Sequence, residues 1–197
     1  MSSYDFLLAT YDTERLKTLS VWSQFGDADL TFRPAPKART PQEQMVHQLT
    51  SEDGWMQRML GIVTGLPVLP AKETRLAFLE HYAEASKRRL ESLQGKPDPW
   101  FAEETTFFDV PRSRAWILTR RIAHSAHHRG QLTICLRLLG RELYSTYGPT
   151  ADTGGLATQG AQVIYRYHSV EEVLDAERQG GTWPPLPGPS ASPTERP

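Results

Sequence analysis

Apolar positions along the chain fall into four long helical stretches separated by breaks rich in glycine and proline. Leu7, Leu8, Tyr11, Leu16, Leu19 and Trp22 recur at loosely helical spacing, predicting a first helix over about Tyr4–Phe25 that Gly26 stops. Residues 27–39 read as turns, with Pro34 and Pro36. The second helix has an explicit start. In Thr40-Pro41-Gln42-Glu43 the threonine caps, the proline takes the first helical position and the glutamate completes a capping box. It is expected to run to about Ile62, and Gly65, Pro67 and Pro70 make 61–71 a connection. The third helix, about Lys72–Gln94, has the most regular pattern. Leu76, Leu79, Ala83, Ser86, Leu90 and Leu93 alternate steps of three and four, keeping one stripe against neighbouring helices, as in bundles.

Gly95-Lys96-Pro97-Asp98-Pro99 ends that helix, and 100–110 is expected to be an extended loop. The fourth helix begins near Pro111 or Ser113 and runs to Leu139, before Gly140. Ser169-Val170-Glu171-Glu172 reads as a second capping box opening a short helix that ends at Gly180. Six prolines from Pro184 to Pro197 predict a disordered tail. The expected class is all-α: a four-helix bundle over 1–147, a loop and short helix packed on it over 148–183, and the tail over 184–197. A second helix of about 22 residues is ~33 Å long, and the 61–71 connection can span ~36 Å. Helices two and three can therefore run parallel or antiparallel.

The 197 residues suit one domain. A net charge of -1 and a pI of about 6.6 give no pull toward nucleic acid or membrane, and neither is expected as a partner. The single cysteine, Cys135, excludes an intramolecular disulfide and fits a reducing compartment. Met1–Asp5 lacks a basic segment leading into an apolar run. No stretch approaches the ~20 apolar residues of a membrane span, so a cytoplasmic location is expected.

The candidate chemistry lies on the fourth helix, where His124, His127 and His128 crowd together. His124 and His128, at i and i+4, share a face with Ile117 and Cys135, so their imidazoles can converge. His47, on the second helix, offers a third ligand, and such a set suggests a metal site with an open position. The competing reading is surface or hydrogen-bonded core histidines, and spacing leaves both open. His127 lies about 100° around the helix from His128, at the rim. Gln131 can reach the site, a substrate or another helix. Glu43 is accounted for by its cap, and Cys135, ~10.5 Å of helix rise beyond His128, by the core. Arg112, Arg114, Arg120, Arg121, Arg129 and Arg137 read as a solvated face or as grips for an anion. Arg121, three residues before His124, is the candidate for the latter. Gly130, inside the helix, costs about 1 kcal/mol relative to alanine, and close helix approach is its expected reason. No phosphate loop, nucleophile elbow or His-Glu-x-x-His pair appears.

His47 followed by Glu52 and Trp55, with Ala123-His124-Ser125-Ala126-His127-His128-Arg129-Gly130-Gln131-Leu132, resembles the DinB/YfiT-like superfamily. The resemblance covers about Tyr4–Tyr147, and the closing His127–Leu132 string is its most specific part. Tyr147–Thr153 is similar to a tail loop of some members. The resemblance implies an up-down-down-up four-helix bundle, with 61–71 as the crossover. It also implies a divalent metal, zinc or nickel first and iron or manganese next, on His47, His124 and His128. Similar proteins include transferases and isomerases that use low-molecular-weight thiols such as bacillithiol or mycothiol. The implied activity is therefore metal-dependent transfer of a small thiol to an electrophile by a homodimer. Arg121, Gln131 and His127 would lie near the substrate. Three neutral histidines leave the ion's charge unreduced, so a thiol or water in the open position loses its proton near neutral pH. Metal-dependent hydrolysis and a non-catalytic metal-binding stress role are the alternatives.

Overall fold

Local side-chain caps set the starts of three of the four long helices. The computed structural model describes residues 2–181 and 183–189, and its four long helices are α1 (Asp5–Trp22), α2 (Pro41–Leu60), α3 (Arg75–Gln94) and α5 (Arg114–Leu138). Thr40 Oγ1 accepts from Glu43 N at 3.2 Å while Glu43 Oε2 accepts from Thr40 N at 2.8 Å, which is the capping box expected for α2. Gly61, at φ 66°, closes the same helix, and Ile62 N reaches back to Met56 O at 2.8 Å. That left-handed closing residue favours glycine. Thr74 and Ser113 cap α3 and α5. A short helix, α6 (Val170–Arg178), is capped by Ser169. Glu172 accepts not from Ser169 but from His168 N, at 2.7 Å.

The chain is mostly helical but not all-α. Where an extended loop was expected, residues 98–113 form a one-turn helix, α4 (Asp98–Ala102), and an antiparallel hairpin of β1 (Glu104–Phe107) and β2 (Val110–Ser113). Thr105 faces Arg112 and Phe107 faces Val110. The hairpin takes Val110–Ser113, so of the two expected starts, Pro111 and Ser113, the second holds: Ser113 caps α5, which begins at Arg114.

Two apolar clusters hold the helices. Leu19, Trp22, Met45, Leu49, Phe78, Tyr82, Leu132 and Leu136 belong to one. Leu7, Tyr11, Met56, Leu60, Leu90, Leu93, Ile117 and Leu118 belong to the other. The start of α1 thus packs with the ends of α2 and α3 and the start of α5. The alternating stripe on α3 is buried at Leu79, Ala83, Ser86, Leu90 and Leu93.

Buried polar groups cross the interior as well. Tyr11 Oη donates to Glu52 Oε1 at 2.6 Å, and Arg89 reaches Glu52 at 3.4 Å and Asp53 at 3.1 Å. Arg15 Nε donates to Ser86 Oγ at 2.8 Å. Arg129 is buried against Glu14 and Thr18, so this one of the five arginines of α5 serves the core.

The segment after α5 packs back on the helices. Arg166 is buried and pairs with Glu177 of α6 at 2.7 Å, and Val173 of α6 lies in the core. The first part of the tail expected as disordered, residues 184–189, is instead tied down. Pro184 O accepts from Tyr144 Oη at 2.5 Å, and Gly188 forms a parallel bridge with Thr153. Both contacts use backbone groups that proline leaves free to accept or that glycine, at φ 87°, can present. The remainder of that expectation, 190–197, lies outside the described residues. No helix among the described residues is long and apolar enough to cross a membrane.

Candidate metal centre

α2 and α5 pack side by side, and that packing brings His47 against the i, i+4 pair of α5. One ring nitrogen from each of His47, His124 and His128 lies within 4.8 Å of the others. His124 Nε2 and His128 Nε2 are 3.2 Å apart. Two ligands held ~2.0–2.1 Å from a tetrahedral ion are about 3.3 Å apart, so this pair fits one. Ring centroids of His47 lie 5.5 Å from His124 and 4.7 Å from His128.

One of these rings is oriented from outside. Gln131 Oε1 lies 3.0 Å from His128 Nδ1 and accepts from Gln44 Nε2 at 2.7 Å. An amide oxygen can only accept, so His128 carries its proton on Nδ1 and presents a lone pair at Nε2. Gln131 Nε2 lies 2.9 Å from His127 Nε2. His127 itself is exposed, outside the cluster of three. The Nδ1 atom of His124 is buried and has no hydrogen-bond partner among the described residues.

Electrostatics keep the cluster neutral. Burial first, then the charge of Arg121, pushes His124 down to about 3. Burial pushes His128 down to about 4 against the opposing bond from Gln131. His47 is lowered by burial, then by Arg39 and Arg121. All three imidazoles are therefore free bases at neutral pH, the form that ligates a metal. Donor type, spacing and protonation all fit a divalent ion.

The chain belongs to the DinB family. The DinB family model matches residues 1–157. A DinB-like protein from Bacillus cereus superposes with a TM-score of 0.62 at 23% identity, covering 72% of this chain and 95% of that one. A DinB-like protein from Bacillus subtilis gives 0.56 at 15% identity, covering 70% and 94%. No curated protein matches the chain.

The surroundings of the centre in this DinB-family chain differ from a reading of one helix face. Arg121 is buried, and its guanidinium is engaged by protein groups. Nη1 donates to Ser51 Oγ at 2.8 Å, Nη2 to Ser125 Oγ at 3.0 Å, and Glu52 lies 3.9 Å away. Gln131 and His127 are exposed. Gly130 is exposed too, and a Cβ there would meet nothing within 4 Å. Close helix approach is therefore not its reason, because that side of α5 faces open space. Cys135 is buried and its thiol is raised by burial, as a core thiol should be.

Two neighbours, Phe107 of the hairpin and Arg39, carry little sequence signal. Trp55 stacks on His124 at 5.4 Å, and Phe107 of the hairpin meets Trp55 edge-on at 5.1 Å. Beside it, Phe108 stands at φ 51°, a left-handed conformation unusual for a bulky residue, and is exposed. On the other side, Arg39 lies in the loop before α2 and shares a pocket wall with His47. The paired strands could have been sought from the alternation around Thr105–Phe107. Arg39 has no periodic neighbour that would single it out.

Proposed function

We propose that this DinB-family protein is a metal-dependent S-transferase that passes a low-molecular-weight thiol to an electrophilic small molecule. The observation that carries the reading is the donor set: three neutral imidazoles converge, and among the described residues no carboxylate joins them. A divalent ion on His47, His124 and His128, zinc or nickel by preference, would keep its full charge and hold a bound thiol as the nucleophilic thiolate near neutral pH.

The protein's own groups set the rest. Gln131 fixes the proton of His128 on Nδ1. Trp55 and Phe107 screen the His124 side with aromatic surface, while the His47 side opens to a pocket of about 550 Å3. Burial, helped by the charge of Arg121 beneath it, keeps His124 unprotonated. Exposed His127 and Gln131 sit at the rim, where a substrate passes. In the transfer, the thiol loses its proton to solvent. Its sulfur bonds to the electrophilic carbon, and the leaving group departs with the bonding pair.

The four long helices form an up-down-down-up bundle in this reading. The sharing of helix ends between the two apolar clusters supports it. The domain division at about 147, a homodimeric state and a cytoplasmic location belong to the same proposal.

Elemental analysis of the purified protein beside a His47→Ala/His124→Ala/His128→Ala variant tests the centre. Near-stoichiometric zinc or nickel that vanishes in the variant is expected, followed by metal-dependent conjugation of a small thiol to a chloronitrobenzene. A wild-type protein that takes up no divalent metal on reconstitution overturns the reading.

A further inference from the structure

The pocket beside His47 has charges of unequal availability. Its wall includes Arg39, Glu43, Thr50 and Glu73. Glu43 is committed locally, with one oxygen 2.6 Å from Arg33 Nη2 and the other accepting from Thr40 N. Thr50 Oγ1 donates within its own helix, to Val46 O at 2.9 Å. Arg39 is exposed and makes no ion pair or hydrogen bond among the described residues. Glu73 accepts from Gln42 Nε2 and pairs with no cation among the described residues. The pocket thus offers one free guanidinium, one unpaired carboxylate and one imidazole of the metal set.

Each of these has a preferred complement. A guanidinium without a protein partner grips a carboxylate through two parallel N–H donors. A carboxylate with open acceptor sites takes an ammonium. A ligand that satisfies both while reaching the histidines carries an acid, an amine and a third, metal-seeking arm.

We propose that this pocket selects a zwitterionic thiol of the amino-acid type, with its carboxylate on Arg39, its ammonium on Glu73 and its sulfur directed at His47, His124 and His128. The sulfur part of this assignment rests on the proposed thiol transfer; the two charged contacts do not.

Cobalt-loaded protein titrated with four thiols separates the contributions, read by the thiolate-to-cobalt absorption band. L-cysteine carries both charges, cysteamine lacks the carboxylate, mercaptopropionate lacks the ammonium, and mercaptoethanol lacks both. L-cysteine should bind about tenfold tighter than either singly charged thiol, as expected for charged hydrogen bonds. Arg39→Ala should erase its advantage over cysteamine, and Glu73→Gln its advantage over mercaptopropionate, with cobalt content unchanged in both. Equal affinity for the four thiols, or variants that weaken all four alike, overturns the proposal. Calorimetry with S-methylcysteine, which keeps both charges but has no thiol, reads the pocket alone. Binding to wild type that is lost in Arg39→Ala, with no absorption band from any thiol, supports the pocket while overturning thiol transfer. Bands from every thiol, with S-methylcysteine bound equally by wild type and Arg39→Ala, overturn the pocket and leave thiol transfer standing.

Discussion

Gln131 holds His128 by its far nitrogen. The 3.0 Å contact from Gln131 Oε1 to His128 Nδ1 leaves Nε2 free, 3.2 Å from Nε2 of His124. Gln44 holds the same oxygen at 2.7 Å, so a residue of α2 steadies a ligand of α5. Groups that orient ligands in this way are worth about 10–100-fold in metal affinity. Gln131→Ala is expected to weaken metal binding by about that factor while leaving helical content intact. Competition against a chromogenic chelator measures it. Unchanged affinity would mean that packing alone orients the ring.

Glu52 is the anion of the buried layer under the site. It is 1% exposed and faces Tyr11, Arg89 and Arg121. Removing one partner of a buried ionic set leaves uncompensated charge, which costs about 3–5 kcal/mol. Glu52→Ala leaves Arg121 without its carboxylate and Arg89 with Asp53 alone, and should fall in that range by urea unfolding. Glu52→Gln keeps an acceptor for Tyr11 and should cost less. A loss under about 1 kcal/mol for the alanine variant, the ordinary scale for exposed pairs, would show that water reaches this layer.

What could be read from the chain follows how local each cause is. The start of α2 was legible because Thr40 and Glu43 satisfy each other within one turn. The histidine pair was legible because i and i+4 share a face whatever else surrounds them. The hairpin was not, since each strand has four residues and its register depends on partners across a turn that holds Phe108 at positive φ. Nor was the environment of Arg121. It shares a face with His124, as the spacing says, but Ser51 and Glu52 come from 70 and 69 positions away and draw it inward. Arg39 escaped because one arginine in a turn-rich stretch carries no pattern. Its place beside His47 arises only when α2 is docked.

Stability of the metal-free protein should depend on pH through the three histidines. Their folded values lie below the ordinary imidazole value of about 6.5, with His124 near 3 and His128 near 4. Above 6.5 both folded and unfolded chains are neutral there, and the contribution is complete. As pH falls below 6.5 the unfolded chain takes up protons that the folded one refuses, so stability is lost progressively down to about 4 and 3. Melting temperatures across pH 4–8 should therefore fall faster on the acid side for the wild type than for the triple alanine variant. Parallel curves would mean that solvent already shares the rings' protonation.

Gly130 and Gly61 make opposite demands on a side chain. Gly130 lies inside α5, exposed, with open space where a Cβ would stand. Gly61 closes α2 at φ 66°. Gly130→Ala removes the helix penalty of glycine and should stabilise the protein by up to about 1 kcal/mol, raising the melting temperature by ~2–4 °C for a chain of this size. Gly61→Ala forces a side chain into the left-handed region and should cost about 1–2 kcal/mol. Differential scanning calorimetry of both variants checks the pair. The contrast matters for the proposed homodimer. If Gly130→Ala lowers the melting temperature instead, the space beside Gly130 is filled in solution, and a second copy packed on that face of α5 is the occupant to look for by light scattering.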